Sequence, residues 1–253
     1  MRRLALGLAL ALLLGLISAA PARAAITIVQ TVTCTATAVN SCTTPATTTT
    51  SGNLVITPVG FSAYDVLPTT DNLGNTFAVA IPNTGGGGHL IQYYATGITG
   101  GSGHTFNCTA ADGQAFYCTM DVHELSGATA SPLDQVATAT IASGTTSFAS
   151  ANTATTAQAD EFLIGMGYLD TTPVTVTQGS GWTALTQYVV DGGTRTLVSG
   201  SRTVSATGAY NYAFTTNVST TGDVGISTWK ATVAAPATRS QCIGCGADRK
   251  VLE

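Results

Sequence analysis

The stretch Phe116-Tyr-Cys-Thr-Met-Asp-Val-His-Glu-Leu125 alternates apolar and polar side chains. Phe116, Cys118, Met120 and Val122 fall on one side of an extended chain, because successive side chains of a strand point to opposite faces. This alternation is typical of a β-strand with one face against a core. Further short apolar or alternating segments, bounded by turn-forming residues, occur at 26–29, 54–56, 59–61, 75–81, 90–94, 162–166, 182–190, 194–204, 210–214 and 224–233.

These segments predict an all-β fold. No stretch carries an apolar stripe of period 3.6, and no helical crossover of the kind that parallel strands need is evident. Roughly ten to twelve antiparallel strands exceed what one open sheet carries easily. We therefore predict a two-layer antiparallel β-sandwich that is jelly-roll-like or immunoglobulin-like, with a closed β-barrel as the alternative. No internal repeat is visible in the sequence.

The two ends of the chain differ from its middle. Arg2 and Arg3 precede the apolar run 4–17, and Ala22-Arg23-Ala24 resembles a cleavage site, so residues 1–24 read as a signal peptide. We expect a single β-sandwich domain over 25–233 and a C-terminal Cys-containing tail over 234–253. The predicted location is secreted or extracytoplasmic, at the cell surface or in the periplasm.

Charge narrows the classes of partner. Only 9% of the 253 residues are charged, and the sequence after residue 24 holds six Lys and Arg against thirteen Asp and Glu, a formal charge of −7. Such a chain cannot neutralise many phosphates, so nucleic acid is excluded as a predicted partner. No second apolar run is long enough to cross a bilayer, so we predict no transmembrane segment in the mature chain.

The six cysteines of an exported chain predict disulfides. We expect Cys108 to pair with Cys118 across a hairpin at Asp112-Gly113, and Cys34 to pair with Cys42 around Asn40-Ser41. The Cys242-Ile-Gly-Cys245 motif in the tail indicates a local disulfide, with cross-linking between subunits as the alternative.

The sequence holds few signs of catalysis. It has no Gly-x-Ser-x-Gly elbow for a nucleophile. A hydrolase would need two carboxylates, or a carboxylate and a base, close together, and Glu124 with Asp134 or His123 is the candidate set. His123 and Glu124 are adjacent on a strand, so their side chains are expected on opposite faces.

Two binding sites can be proposed from residue type. Asp71 and Asn75 belong to an oxygen-rich turn that suits either a tight turn or Ca²⁺, so the predicted cofactor is none or Ca²⁺. Exposed aromatic rings on strands can stack on sugars. The candidate ligand-binding rings are Tyr93, Tyr94, Trp182, Tyr210 and Tyr212.

Several motifs together resemble a loose group of exported bacterial jelly-roll or immunoglobulin-like β-sandwich modules without an established activity. They are Gly52-Asn-Leu-Val-Ile56 with Val59-Gly-Phe61, Asp71-Asn-Leu-Gly-Asn-Thr76, Tyr93-Tyr-Ala95, Glu124-Leu-Ser-Gly127, Pro132-Leu-Asp134, Ala159-Asp-Glu-Phe-Leu-Ile-Gly165 and Gly179-Ser-Gly-Trp-Thr183. The resemblance implies a sandwich and supplies no catalytic residues.

These observations predict a non-catalytic module that binds a glycan or surface, or that has a structural role in the cell envelope. A secreted hydrolase acting on a polysaccharide or ester is one alternative. The other is a subunit of an extracellular filament or surface layer, which would associate with further copies of itself by adding a strand to a neighbouring sheet.

Overall fold

A computed structural model describes residues 25–62, 66–84, 89–113, 115–171, 174–190 and 195–232. The predicted signal peptide, the tail and the Cys242–Cys245 motif lie outside these residues. Sixteen strands are described, and none of these residues is helical: β1 Thr27–Val39, β2 Ser41–Thr43, β3 Thr47–Thr48, β4 Leu54–Phe61, β5 Thr70–Asp71, β6 Ala78–Ile81, β7 His89–Ala95, β8 Ser102–His104, β9 Phe106–Thr109, β10 Phe116–Ser126, β11 Ala128–Ala149, β12 Glu161–Leu169, β13 Val176–Gln178, β14 Thr183–Val190, β15 Arg195–Val204 and β16 Ala213–Ala231.

Two open antiparallel sheets form the body. One has the order β1-β10-β4-β7-β6, and the other has the order β11-β16-β12-β15-β14 with β13 added to β16. The predicted β-sandwich is confirmed, and the closed barrel is wrong because each sheet ends in edge strands. The described strands outnumber the predicted ten to twelve, mainly because β2, β3, β5, β8 and β13 are only two or three residues long. The described residues accordingly contain no helix that could cross a membrane.

The core between the sheets is built from alternate residues of their central strands. Leu54 and Ile56 of β4 meet Phe162 and Ile164 of β12, together with the fully buried Trp229 of β16. Beside them, Tyr168 and Leu197 of the second sheet pack with Ile81 and Leu90 of the first. Each large aliphatic or aromatic side chain buried in this way stabilises the fold by about 2 kcal/mol.

The outer faces of both sheets are also covered. Over the first sheet, the small sheets β2-β9-β5 and β3-β8 lie in a third layer, and Phe106 and Cys108 of β9 pack with Met120 and Val122 of β10. Over the second sheet, Tyr212 and Phe214 cover the glycines of β12. The body is therefore thicker than the predicted two layers.

The strand β11 was not among the predicted segments. It is rich in Ala, Thr, Ser and Gly, and three of these four residue types have weak strand preference or none. Pairing with the buried β16 holds it extended, from Ala128 opposite Ala231 to Ala149 opposite Ala213. Tertiary pairing thus outweighs local propensity here.

The second sheet repeats the strand order of the first. Counted along the chain, the strands at equivalent places are β1 and β11, β10 and β16, β4 and β12, β7 and β15, and β6 and β14. Gly127 alone joins the end of β10 to the start of β11. The expectation that the chain has no internal repeat is therefore wrong at the level of topology.

Candidate functional site

Polar side chains meet between the two sheets where β14 crosses β1 and β10. We call this group the polar seam. Its members are Thr31 and Thr33 of β1, Asp121 and His123 of β10, Thr186 of β14 and Ser199 of β15. Asp121 and His123 share a face because they are two residues apart on one strand, and the opposite face carries the apolar residues that identified β10 in the sequence.

Asp121 links both sheets through three hydroxyl groups. Its Oδ1 accepts a hydrogen bond from Thr33 at 3.0 Å, and its Oδ2 accepts hydrogen bonds from Thr186 and from Ser199 at 3.3 Å. The Thr186 and Ser199 hydroxyl oxygens are 2.5 Å apart. Burial raises the pKa of Asp121 to about 6, although the three hydroxyl donors lower it. The group is therefore partly protonated in mildly acidic solution.

His123 is completely buried two residues further along β10. Its Nδ1 lies 2.9 Å from the hydroxyl of Thr31, and its Nε2 has no hydrogen-bond partner among the described residues. Burial lowers the pKa of His123 to about 4. The ring is thus neutral at physiological pH, and the polar seam holds one carboxyl group and one uncharged base in a solvent-excluded place.

Glu124 lies apart from the polar seam. Its carboxylate accepts hydrogen bonds from the Thr50 backbone N–H at 2.7 Å, from the Asn53 amide at 2.6 Å and from the Gln30 amide at 2.6 Å. His123 bonds to a different residue, Thr31, in agreement with the expected opposite faces. The Glu124 carboxylate ties β10 to β1 and to the segment before β4, so its hydrogen-bonding capacity is used in the fold.

Asp134 is found beside Glu161 rather than Glu124. Asp134 Oδ2 accepts the Ala157 backbone N–H at 2.6 Å. Glu161 at the start of β12 is 1% exposed, and burial together with the Asp134 carboxylate raises its pKa to about 7. The set of Glu124 with Asp134 or His123 that a hydrolase would need is therefore not assembled. Sequence reasoning missed Glu161 because only the tertiary fold brings β11 to the start of β12.

The carboxylate of Asp71 is surrounded by donors. It accepts hydrogen bonds from the backbone N–H groups of Leu73 and Asn75 and from the Asn75 amide, and it lies 3.0 Å from His104 Nε2. Burial raises the pKa of Asp71, but these donors outweigh it and the pKa lies below its usual value. A Ca²⁺ ion bound to this carboxylate would need oxygen ligands in the places that these nitrogen donors occupy. The described residues contain no group of three or more His, Cys, Asp or Glu side chains that could hold a metal ion, and the Ca²⁺ site stays a prediction.

His104 connects Asp71 to Thr49, whose hydroxyl lies 2.7 Å from His104 Nδ1. A chain of hydroxyl, imidazole and carboxylate is the arrangement of a catalytic triad. Here the imidazole is 0% exposed and Thr49 is 6% exposed, whereas a nucleophile must reach its substrate. The three side chains therefore act as a buried cross-link in the outer layer.

The aromatic candidates are mostly core residues. Tyr93, Trp182 and Tyr212 are buried, which leaves no ring face for stacking on a sugar. Tyr94 is half-buried against Trp229, and Tyr210 is half-buried with the Arg202 guanidinium 5.6 Å from its ring centre. The five rings therefore do not form a common sugar-binding platform.

Four cysteines gather in the core of the first sheet. The predicted disulfide between Cys34 and Cys42 is confirmed. The predicted hairpin between Cys108 and Cys118 is wrong, because β9 pairs in the outer layer and β10 pairs in the main sheet. The structure nevertheless brings the predicted partners Cys108 and Cys118 together: they are described as buried thiols with their sulfur atoms 2.7 Å apart, and the bond between them stays a prediction. Burial and the neighbouring thiol raise the pKa of Cys118.

Comparisons with known proteins identify no relative. No family model matches the chain, no curated protein is similar to it, and no solved structure matches its fold.

Proposed function

We propose that the protein is an exported, non-catalytic structural module of the cell envelope that associates through the edges of its sheets. The observation that carries this proposal is the character of β1. This thirteen-residue edge strand contains no charged residue, and Val29 and Val39 on it are 49% and 47% exposed. Strand β1 is irregular at 28–30 and 36–39, but from Gln30 to Ala36 it pairs regularly with β10. Sheet edges that must stay unpaired usually carry charges or prolines, and this regular stretch has neither.

The longer edge strand β11 contains Pro132 and four irregularities in its pairing, but its stretch from Val136 to Ile141 pairs regularly with β16 and carries no charge. It has one charged residue, Asp134, in twenty-two, and its exposed positions from 136 to 142 are Val, Thr, Thr and Ala. An uncharged edge exposes unpaired backbone N–H and C=O groups to which another strand can add. The buried acidic groups support a structural role, because Glu124 and Asp121 each connect several strands.

Light scattering on the mature chain, residues 25–253, tests this proposal over a range of concentrations. We expect association that increases with concentration and that is abolished by Thr35→Lys, which places a charge on the exposed side of β1. Thr203→Lys is the matched control, because Thr203 is also exposed but lies on β15, an interior strand of the second sheet. A protein that stays monomeric at about 100 μM, or one that loses association equally in both variants, would contradict the proposal. Binding to a glycan array by a monomeric protein would favour the glycan-binding alternative.

A further inference from the structure

The repeated strand order extends to the register of individual residues. Cys42 lies opposite Cys108 in the outer layer of the first sheet, and Phe148 lies opposite Phe214 in the second. Both members of the second pair come 106 positions after those of the first (148 against 42, 214 against 108). The same interval relates the central strands, where Glu161 faces Lys230 as Val55 faces Glu124.

One two-way backbone arrangement recurs at the same interval. The Thr44 backbone N–H donates to the Phe106 carbonyl at 2.9 Å, and the Phe106 N–H donates back to the Thr44 hydroxyl at 3.0 Å. Ser150 and Tyr212 make the same two bonds at 2.9 and 3.0 Å, again 106 positions later. The same two-way bond also joins Ser62 to Tyr117, Thr84 to Leu90, Thr153 to Tyr210 and Thr156 to Gly208. The arrangement is therefore frequent in this chain, and what supports the repeat is the interval of 106 positions between the pairs at 44 and 150.

The aromatic packing that seals each outer layer corresponds as well. Phe77 meets Phe106 edge to face, with ring centres 6.3 Å apart. Trp182 meets Tyr212 edge to face at 4.7 Å. Phe77 comes directly before β6, and Trp182 comes directly before β14. These two strands are the edge strands at equivalent places of the two sheets.

Contacts between the sheets are reciprocal. Strand β14 touches β1 and β10 of the first sheet, and its counterpart β6 touches β11 and β16 of the second. Likewise β15 touches β4 while β7 touches β12. Exchange of equivalent elements is the pattern of a two-fold interface between like subunits, in which the same surface serves both partners.

From these observations we infer that the chain is a covalent dimer of one β-module, present as residues 25–126 and 128–232. The face between the main sheets is then a self-recognition surface, and the partner it fits is a second module of the same fold. The second module carries a buried carboxylate at a different place on β16, where Asp223 accepts a hydrogen bond from Thr140 of β11. At the positions equivalent to the polar seam, His123 corresponds to Trp229 and Asp121 to Ser227, and Trp229 Nε1 donates to the Ser227 hydroxyl at 2.9 Å, so this place accepts side chains of different size and charge.

The joint between the modules supports the inference. Gly127 has a φ of +84°, and a Cβ placed there would lie 2.6 Å from the Ala25 carbonyl oxygen. The Thr232 backbone N–H donates to the Gly127 carbonyl at 2.8 Å. Both ends of the body therefore lie beside the joint, so a short glycine linker from Thr232 to Ala25 is the counterpart of Gly127 between the modules.

A circular permutant tests the inference on the whole body. It begins at Ala128, runs to Thr232, continues through a short glycine linker to Ala25 and ends at Ser126, which keeps each module continuous. The control has the same new joint but is opened between Asp112 and Gly113, inside the first module. We expect the first permutant to unfold cooperatively within about 5 °C of the natural order and the control to be clearly less stable. Equal stability, or a more stable control, would overturn the inference.

A second measurement decides the matter if neither permutant folds. A protease site placed at Gly127 allows the folded chain to be cut between the modules. The described disulfide lies within the first module, so it does not link the two pieces. After separation in denaturant and mixing under native conditions, we expect a one-to-one complex. Pieces that fail to recombine would refute a self-recognition surface between the modules.

Discussion

Replacing Asp121 with Asn tests the electrostatics of the polar seam. The pKa of Asp121 rises from 3.8 to about 6 in the folded protein. A folded pKa above the unfolded value means that the folded state holds its proton more tightly. This contribution to stability is complete below about pH 4 and is lost as the pH rises through 6. A shift of two pKa units corresponds to about 3 kcal/mol.

Asn keeps the shape of the side chain but cannot ionise. We therefore expect D121N to gain up to about 3 kcal/mol relative to the natural protein between pH 4 and pH 7.5. Urea unfolding at both pH values measures this difference, and the neighbouring hydroxyls of Thr33 and Thr186 can rotate to bond the amide. Other titrating groups are common to both proteins and cancel in the comparison.

His123→Gln is a control in which the stability difference from the natural protein should change with pH in the opposite direction. The pKa of His123 falls from 6.5 to about 4 on folding, so its contribution to stability is lost as the pH falls from 6.5 towards 4. Relative to the natural protein, H123Q is expected to gain stability towards low pH, whereas D121N gains it towards high pH. If the D121N difference stays constant with pH, or has the same sign as that of H123Q, then Asp121 does not carry a raised pKa and the reasoning fails.

Three further predictions concern packing and cross-links. Replacing Cys34 and Cys42 with Ser removes a disulfide between residues eight positions apart. Urea unfolding should then show a free energy of unfolding lower by about 2.5 kcal/mol. No change would mean that the closed loop does not restrict the unfolded chain. Gly165→Ala should lower the free energy of unfolding by about 3 kcal/mol, because a Cβ there would collide with the Tyr212 ring. Gly101→Ala is the control and should lower it clearly less, because the nearest atom to a Cβ there is 3.9 Å away. Equal losses would contradict the packing of Tyr212 on β12. Glu124→Ala leaves the donors of Thr50, Asn53 and Gln30 without this acceptor. It should lower the free energy of unfolding by about 3 kcal/mol. A thermal midpoint unchanged from that of the natural protein would show that this carboxylate does not stabilise the contact between the strands.

The sequence alone determined the local character of the chain. Alternation in 116–125 and the apolar run 162–166 identified two central strands, because the pleat places every second side chain on one face. The proximity of Cys34 and Cys42 was also predictable, since only seven residues separate them. Strand β11 was not predictable, because its Ala, Thr, Ser and Gly residues extend only when β16 offers a partner.

Only the tertiary structure decided how the strands associate and what the polar residues do. Asp121 meets Thr186 from a strand 65 positions away, and Glu161 meets Asp134, and no local pattern specifies such encounters. The repeat of 106 residues was hidden for the same reason. Backbone pairing and burial preserve register and order, while the side chains at equivalent positions, such as His123 and Trp229, need only fill the space that the opposite sheet leaves.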